Sequence, residues 1–290
     1  MNAINERLLE LEASGTPVAI GLIGAGQMGQ EILCQAQLMK GVRIQVVVDV
    51  SFERAELACQ MAAMEAASVV RTNDPGRARQ AVEAGRCVAT TDWHIVTRLP
   101  SVQVVVDATG LPELGVEIAL EAIRATKHIV MMNVECDVTV GAILQQKAAE
   151  AGVVYTLAAG DEPAAILELY RFASALGFEI VAAGKGKNNP LDVTATPDAL
   201  AEKARARDMS ARMLCEFVDG SKTAVEMCSV ANATGLVPDV RGMHGAQATR
   251  DTLHQVFSLK EEGGVLTKRG VVDFAIGVHP GVFGVFTTDQ

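Results

Sequence analysis

A chain of 290 residues, with 49% hydrophobic, 4% aromatic and 21% charged residues, is long enough for two domains and too apolar to be disordered or fibrous. Its formal net charge of −10 argues against nucleic acid as a partner, because no local basic face offsets the repulsion of a phosphate backbone. No stretch is apolar enough to span a bilayer and Glu6, Arg7 and Glu10 replace a secretory signal. The six cysteines form no C-x-x-C pair, so the expectation is a cytoplasmic protein with reduced thiols, no membrane partner and no zinc site.

Helical spacing over residues 5–12 predicts a short leading helix. Residues 17–23 are almost continuously apolar, as in a strand buried on both faces, and an amphipathic segment over 27–39 follows directly. The alternation then repeats: strand 42–48, helix 53–66, helical piece 75–83, strand 87–89, strand 102–107, helix 112–125, strand 128–132, helix 140–151 and strand 153–158. All-apolar strands alternating with helices predict an α/β fold, a Rossmann-type doubly wound parallel sheet over residues 1–158. Beyond Gly160 the pattern changes to a helix at 164–176, a strand at 178–183 and a polar loop at 184–190. Helices at 197–218 and 221–233 and a glycine-punctuated apolar segment at 271–286 follow, which predicts a smaller α+β substrate domain over 159–290.

Gly24-Ala25-Gly26-Gln27-Met28-Gly29 matches G-x-G-x-x-G where the first buried strand meets an amphipathic helix. In that setting Gly24 permits the tight turn, Gly26 lets a pyrophosphate approach the backbone, and Gly29 lets helix and strand pack closely, while the helix N-terminus presents free N–H groups to phosphate. Asp49 ends the second strand, placed to accept hydrogen bonds from the adenosine ribose, which favours NAD over NADP. Arg54 stands close behind and suits a 2′-phosphate if Asp49 turns away. Asp107-Ala108-Thr109-Gly110 ends a later strand on the same edge, and reads either as a cofactor contact through Thr109 and Gly110 or as a simple turn.

Two further strand ends deliver polar groups to that edge. Asn133-Val134-Glu135 follows one, with Asn133 assigned to cofactor and Glu135 to substrate, and Gly160-Asp161-Glu162-Pro163 follows the next. Asp161 and Glu162 read equally as acidic residues favoured at a helix N-terminus. Lys185 and Lys187, alternating with glycines and followed by Asn188 and Asn189, read either as a receptor for an anionic substrate or as an exposed basic loop. Lys222 falls in the first turn of a helix, where the dipole disfavours a cation, and is the first choice for an acid/base, the alternative being a solvated lysine. Cys136 reads as a small core residue before it reads as a nucleophile.

Together the 24–29 fingerprint, Asp107-Ala108-Thr109-Gly110, Asn133-Val134-Glu135, Gly160-Asp161-Glu162-Pro163, Gly184-Lys185-Gly186-Lys187-Asn188 and His279-Pro280-Gly281-Val282-Phe283 resemble the homoserine-dehydrogenase-like bacterial oxidoreductases, one branch of which holds the deoxyxylulose-phosphate-reductoisomerase-like enzymes. The resemblance covers essentially the whole chain. It implies a nicotinamide cofactor, a second domain that binds substrate and makes a homodimer contact, and oxidation or reduction of a small polyhydroxylated, often anionic substrate. In the reductoisomerase-like branch a divalent cation held by Asp161 and Glu162 is expected; the alternatives are a homoserine or related hydroxy-acid dehydrogenase and a dinucleotide sensor without catalysis. Two departures stand out. Val134 replaces the lysine that follows asparagine in the better-known members, and the SAF-type extension common after the His-Pro-Gly-Val-Phe segment is not among these 290 residues.

Overall fold

A computed structural model describes residues 3–207, 209–279 and 281–288, and the chain divides into two compact units, Met1–Ala158 and Ala159–Gln290. The first unit runs α1 (Ala3–Ala13), β1 (Val18–Ile23), α2 (Gln27–Leu38), β2 (Val42–Val48), α3 (Phe52–Met61), β3 (Val69–Arg71), α4 (Pro75–Glu83), β4 (Cys87–Thr90), α5 (His94–Arg98), β5 (Val104–Asp107), α6 (Pro112–Arg124), β6 (His128–Met131), α7 (Val134–Glu150) and β7 (Tyr155–Leu157). Its seven strands lie in the order β3-β4-β2-β1-β5-β6-β7 and every neighbouring pair is parallel. This is a Rossmann-like sheet. Strand order reverses between β1 and β5, the position where open α/β sheets bind ligands beyond their carboxyl ends.

The all-apolar strands are explained by cover on both faces. Leu22, Val47 and Val106 pack on one side against Leu33 of α2 and Ala55 and Ala58 of α3, while Ile23, Val48 and Val105 pack on the other against Ala78 of α4, Ile95 of α5 and Ile118 of α6. Two boundaries differ from expectation. α3 stops at Met61, because Ala63 turns into the left-handed region (φ 55°), and the chain then forms the short edge strand β3 that the sequence did not announce. α7 starts at Val134, not near 140, because the Asn133 side chain accepts the Cys136 N–H (3.3 Å) and caps it. Asn133 and Glu135 therefore open a helix instead of ending a strand.

The second unit carries α8 (Glu162–Ala175), β8 (Glu179–Lys187), α9 (Pro197–Arg205), α10 (Ala211–Asp219), α11 (Ser221–Thr234), β9 (Ala246–Gln247), α12 (Leu253–Val256), β10 (Val271–Ile276) and β11 (Val282–Thr287). Its four-stranded mixed sheet has the order β11-β8-β10-β9, with β11 antiparallel to β8 and the other pairs parallel. α8 and α11 cover one face through Ile166, Met227 and Val230. The polar loop expected at residues 184–190 is a correction: residues through 187 continue β8 and are buried. The glycines there serve close packing, since a Cβ on Gly184 would stand 1.8 Å from the Asp273 carbonyl oxygen and one on Gly186 would overlap the Val278 carbonyl. The single helix expected over 197–218 is two, α9 and α10. No helix among the described residues is long and apolar enough to cross a membrane.

Candidate active site

The turn between β1 and α2 divides labour among its glycines. Gly24 sits at φ 99°, and a Cβ there would lie 2.6 Å from the Ala108 carbonyl oxygen; one on Gly29 would lie 1.9 Å from the Gly24 carbonyl oxygen. At Gly26, by contrast, a Cβ would meet nothing within 4 Å. Gly26 caps α2 with no side chain, and Gln27 and Met28 in the first turn are exposed, so a helix N-terminus stands open where a pyrophosphate would approach. These residues fit a dinucleotide.

Asp49 is nearly buried, and its carboxylate is in use. Oδ2 accepts the Ala25 N–H (2.9 Å) from inside the glycine turn, and Oδ1 accepts the Val50 N–H (2.8 Å) and pairs with Arg54 Nε (3.2 Å). The side chain thus fastens the turn to the end of β2, with Oδ2 accepting a single protein hydrogen bond. The Arg54 side chain is 56% exposed, its Nε held and the rest of its guanidinium facing solvent.

Beyond β5, Asp107 is fully buried and accepts from the Thr109 N–H (2.9 Å), the Thr109 hydroxyl (2.6 Å) and Asn133 Nδ2 (3.2 Å). Burial raises its carboxyl above the ordinary range against the pull of those donors. Asn133 also donates to the Leu111 carbonyl (2.9 Å) and is only 1% exposed. Its amide N–H groups are engaged within the protein and shape the 107–111 turn. Gly110 (φ 64°) is exposed and Thr109 half-buried at the tip of that turn. Glu135 is half-buried in the first turn of α7, and Cys136 beside it is buried with its thiol pushed up to about 12 by burial and the Asp107 and Asp137 charges, which removes it as a nucleophile.

In the second unit five side chains converge. Lys185 projects from β8 with Nζ 2.7 Å from Glu162 Oε1 and 2.5 Å from Glu226 Oε2. Asp161 and Glu162 sit at the start of α8, and Glu226 lies one turn beyond Lys222 on α11, so both lysines and three carboxylates meet where β8 is covered by α8 and α11. Burial opposes the charge on Lys185, but Glu226 and Glu162 outweigh it and hold the ammonium above its usual value. Glu226 is raised by burial against Lys185; for Glu162 the same burial is outweighed by Lys185, leaving it lowered. Asp161 is pushed up to about 6 by burial, with the adjoining Glu162 adding to it and the Lys222 charge opposing.

The anion-receptor role expected of Lys185 and Lys187 requires correction. Both are buried strand residues; Lys185 is committed to two carboxylates, and Lys187 donates to the Phe217 carbonyl in the last turn of α10, where a helix lacks its own donors. An anion approaching Lys185 would also face Glu162 and Glu226. Asn188 and Asn189 lie just past β8, exposed and half-buried. Glu226 is the member that sequence reasoning missed. Its signal was the i, i+4 spacing from Lys222 on one helix face, which reads as an ordinary surface pair until burial is known.

Residues 24–157 match the family model described as the NAD-binding domain of homoserine dehydrogenase, and residues 160–290 match the one described as the catalytic domain of oxidoreductase DRL. No curated protein matches the chain. Among solved structures, an NAD-binding oxidoreductase from Klebsiella pneumoniae shares 23% identity (TM-score 0.41), with 60% of this chain and 43% of that one covered. A homoserine dehydrogenase from Thiobacillus denitrificans shares 21% (TM-score 0.49; 76% and 49% covered), and a 3-ketoreductase from Actinomadura kijaniata, solved with NADP, shares 15% (TM-score 0.39; 61% and 50%). The chain spans about half the length of these structures or less.

Proposed function

From the match of one half of the chain to a homoserine dehydrogenase NAD-binding domain and of the other to an oxidoreductase DRL catalytic domain, we propose that it transfers hydride between a nicotinamide dinucleotide and the alcohol or carbonyl carbon of a small polyhydroxylated substrate. The observation that carries this reading is the cluster of Asp161, Glu162, Lys185, Lys222 and Glu226, with Lys185 and Glu226 buried and the others half-buried, placed within the segment that matches an oxidoreductase catalytic domain. Closely packed acids and bases, with Asp161, Glu162, Lys185 and Glu226 shifted by burial and by one another, are what proton transfer during carbonyl reduction requires. Carboxylates that accept hydrogen bonds also suit a substrate rich in hydroxyls.

The turn at Gly24–Gly29 and the N-terminus of α2 would hold the dinucleotide, which when bound would supply or accept the hydride. Lys222 then delivers a proton to the substrate oxygen as negative charge develops there, or removes it in the reverse direction, and Asp161, close enough to feel the Lys222 charge, exchanges that proton with it. Lys185 keeps Glu162 and Glu226 in register and prevents three like charges from forcing the cluster apart. On the cofactor side, Asp49 keeps a lone pair for an unmodified ribose and Arg54 offers its guanidinium to a 2′-phosphate, so the site accepts NAD and NADP alike. The protein acts as a homodimer in the cytoplasm, in keeping with the resemblance.

The test is oxidation of the reduced cofactors against aldehydes, ketoses, their phosphates and amino alcohols. Turnover of a ketose or its phosphate supports the reading. A second reading, a homoserine-type dehydrogenase, is favoured by the excess of carboxylates, which would receive a substrate ammonium; turnover of the amino alcohol alone selects it. Cofactor binding with no turnover anywhere on the panel overturns both in favour of a sensor.

A further inference from the structure

Asp161, Glu162 and Glu226 can each bring an oxygen within 4.8 Å of the others, a donor set of the kind that holds a hard divalent cation. That is the arrangement a metal-assisted oxidoreductase needs, and the resemblance implies such a cation for one branch. The residues nevertheless do not fit one. Lys185 Nζ stands 2.7 Å from Glu162 and 2.5 Å from Glu226, so a cation bridging those two carboxylates would have to share their space with an ammonium. The ammonium has nowhere to withdraw to without losing its partners, since its side chain is only 11% exposed and rises from the middle of a four-stranded sheet. Lys222 is close enough for its charge to act on both Asp161 and Glu226, so the three carboxylates already face two cations.

We propose that the Lys185 ammonium takes the place of a divalent cation in this cluster, binding Glu162 and Glu226 as a metal would and using its remaining N–H to polarise a substrate oxygen. An ammonium has three donors, and two are engaged here, by Glu162 and Glu226. Charge-assisted, partly desolvated and fixed by two carboxylates, the third supplies the electrophilic pull that a bound ion would otherwise give. No redox step is added: hydride and proton move as in the proposed reaction, and Lys185 stays protonated throughout. The polarising role rests on that reading of function, but the exclusion of metal does not.

Manganese binding by the whole chain, followed through the electron paramagnetic resonance signal of the free aqueous ion, tests this without turnover. The natural chain is expected to leave that signal unchanged, Lys185→Arg likewise, and Lys185→Met to bind one equivalent at least tenfold more tightly. Adding Glu226→Gln to Lys185→Met should release the ion again. Saturable binding of one equivalent by the natural chain, abolished by Glu226→Gln, overturns the proposal, and so does a folded Lys185→Met that binds no better than the natural chain. Circular dichroism establishes folding, with Lys185→Gln replacing the methionine variant if that one fails. Failure of the substrate panel would leave these outcomes unaffected, so the two readings fall separately.

Discussion

Gly26→Leu is expected to leave the fold intact and to abolish cofactor binding. The backbone at Gly26 (φ −69°, ψ −169°) is open to any L-residue, and a Cβ there meets no heavy atom within 4 Å. The change in stability should therefore stay within about 0.5 kcal/mol, as for a surface substitution that breaks nothing. The new side chain projects into the approach to the first turn of α2, whose free N–H groups are what a pyrophosphate would use. Each hydrogen bond to a charged group contributes about 1.5–3 kcal/mol, so losing two weakens binding by roughly 10²–10⁴-fold. Gly29→Ala is the contrasting case. Its Cβ would lie 1.9 Å from the Gly24 carbonyl oxygen, which is backbone held in a tight turn, and the cost should fall on folding at about 1–3 kcal/mol. The assay is fluorescence titration with reduced cofactor, run beside urea unfolding for each variant. If Gly26→Leu binds cofactor within about threefold of the natural chain, the dinucleotide does not sit at this turn and the reasoning fails.

Arg54→Ala should weaken NADPH about tenfold or more and NADH little, since only the 2′-phosphate gains a charge-assisted contact; equal losses measured by titration would remove Arg54 from the ribose site. Lys222→Met should lower kcat by about 10²–10⁴ while leaving cofactor Kd unchanged, and a variant with near-normal turnover would pass the proton to another group. Asp161 is raised to about 6 in the fold, above its unfolded value near 3.9, so the folded chain holds a proton there that the unfolded chain has released. That contribution is complete below about pH 4 and is lost as pH rises through about 6, so Asp161→Asn should gain in Tm relative to the natural chain across this window. A constant Tm difference from pH 4 to 7 would show that Asp161 titrates normally.

The first unit was legible because its signals are local. Strands buried on both faces must be apolar throughout, as Leu22, Ile23, Val47 and Val48 are, and the glycine fingerprint stands contiguous in the chain, with Gly29 required by the Gly24 carbonyl five residues before it. What the sequence did not show there was short or set by one side chain: β3 is a three-residue edge strand, and α7 begins at Val134 because the Asn133 side chain caps it. The second unit was harder, because glycine serves both turns and close packing. Gly184 and Gly186 look like loop residues in sequence, yet their missing side chains let the Asp273 and Val278 carbonyls pass, which keeps Lys185 on a buried strand. Asp161, Glu162, Lys185 and Lys222 could be picked out as residue types, but their roles were set by pairing across 23 and 41 positions of chain. Lys185 reads as an anion receptor when its surroundings are taken to be solvent. Only the packing of α8 and α11 onto β8 places Glu162 and Glu226 beside it, and burial turns the Lys185–Glu226 contact into a committed ion pair because neither that carboxylate nor the ammonium can return to water.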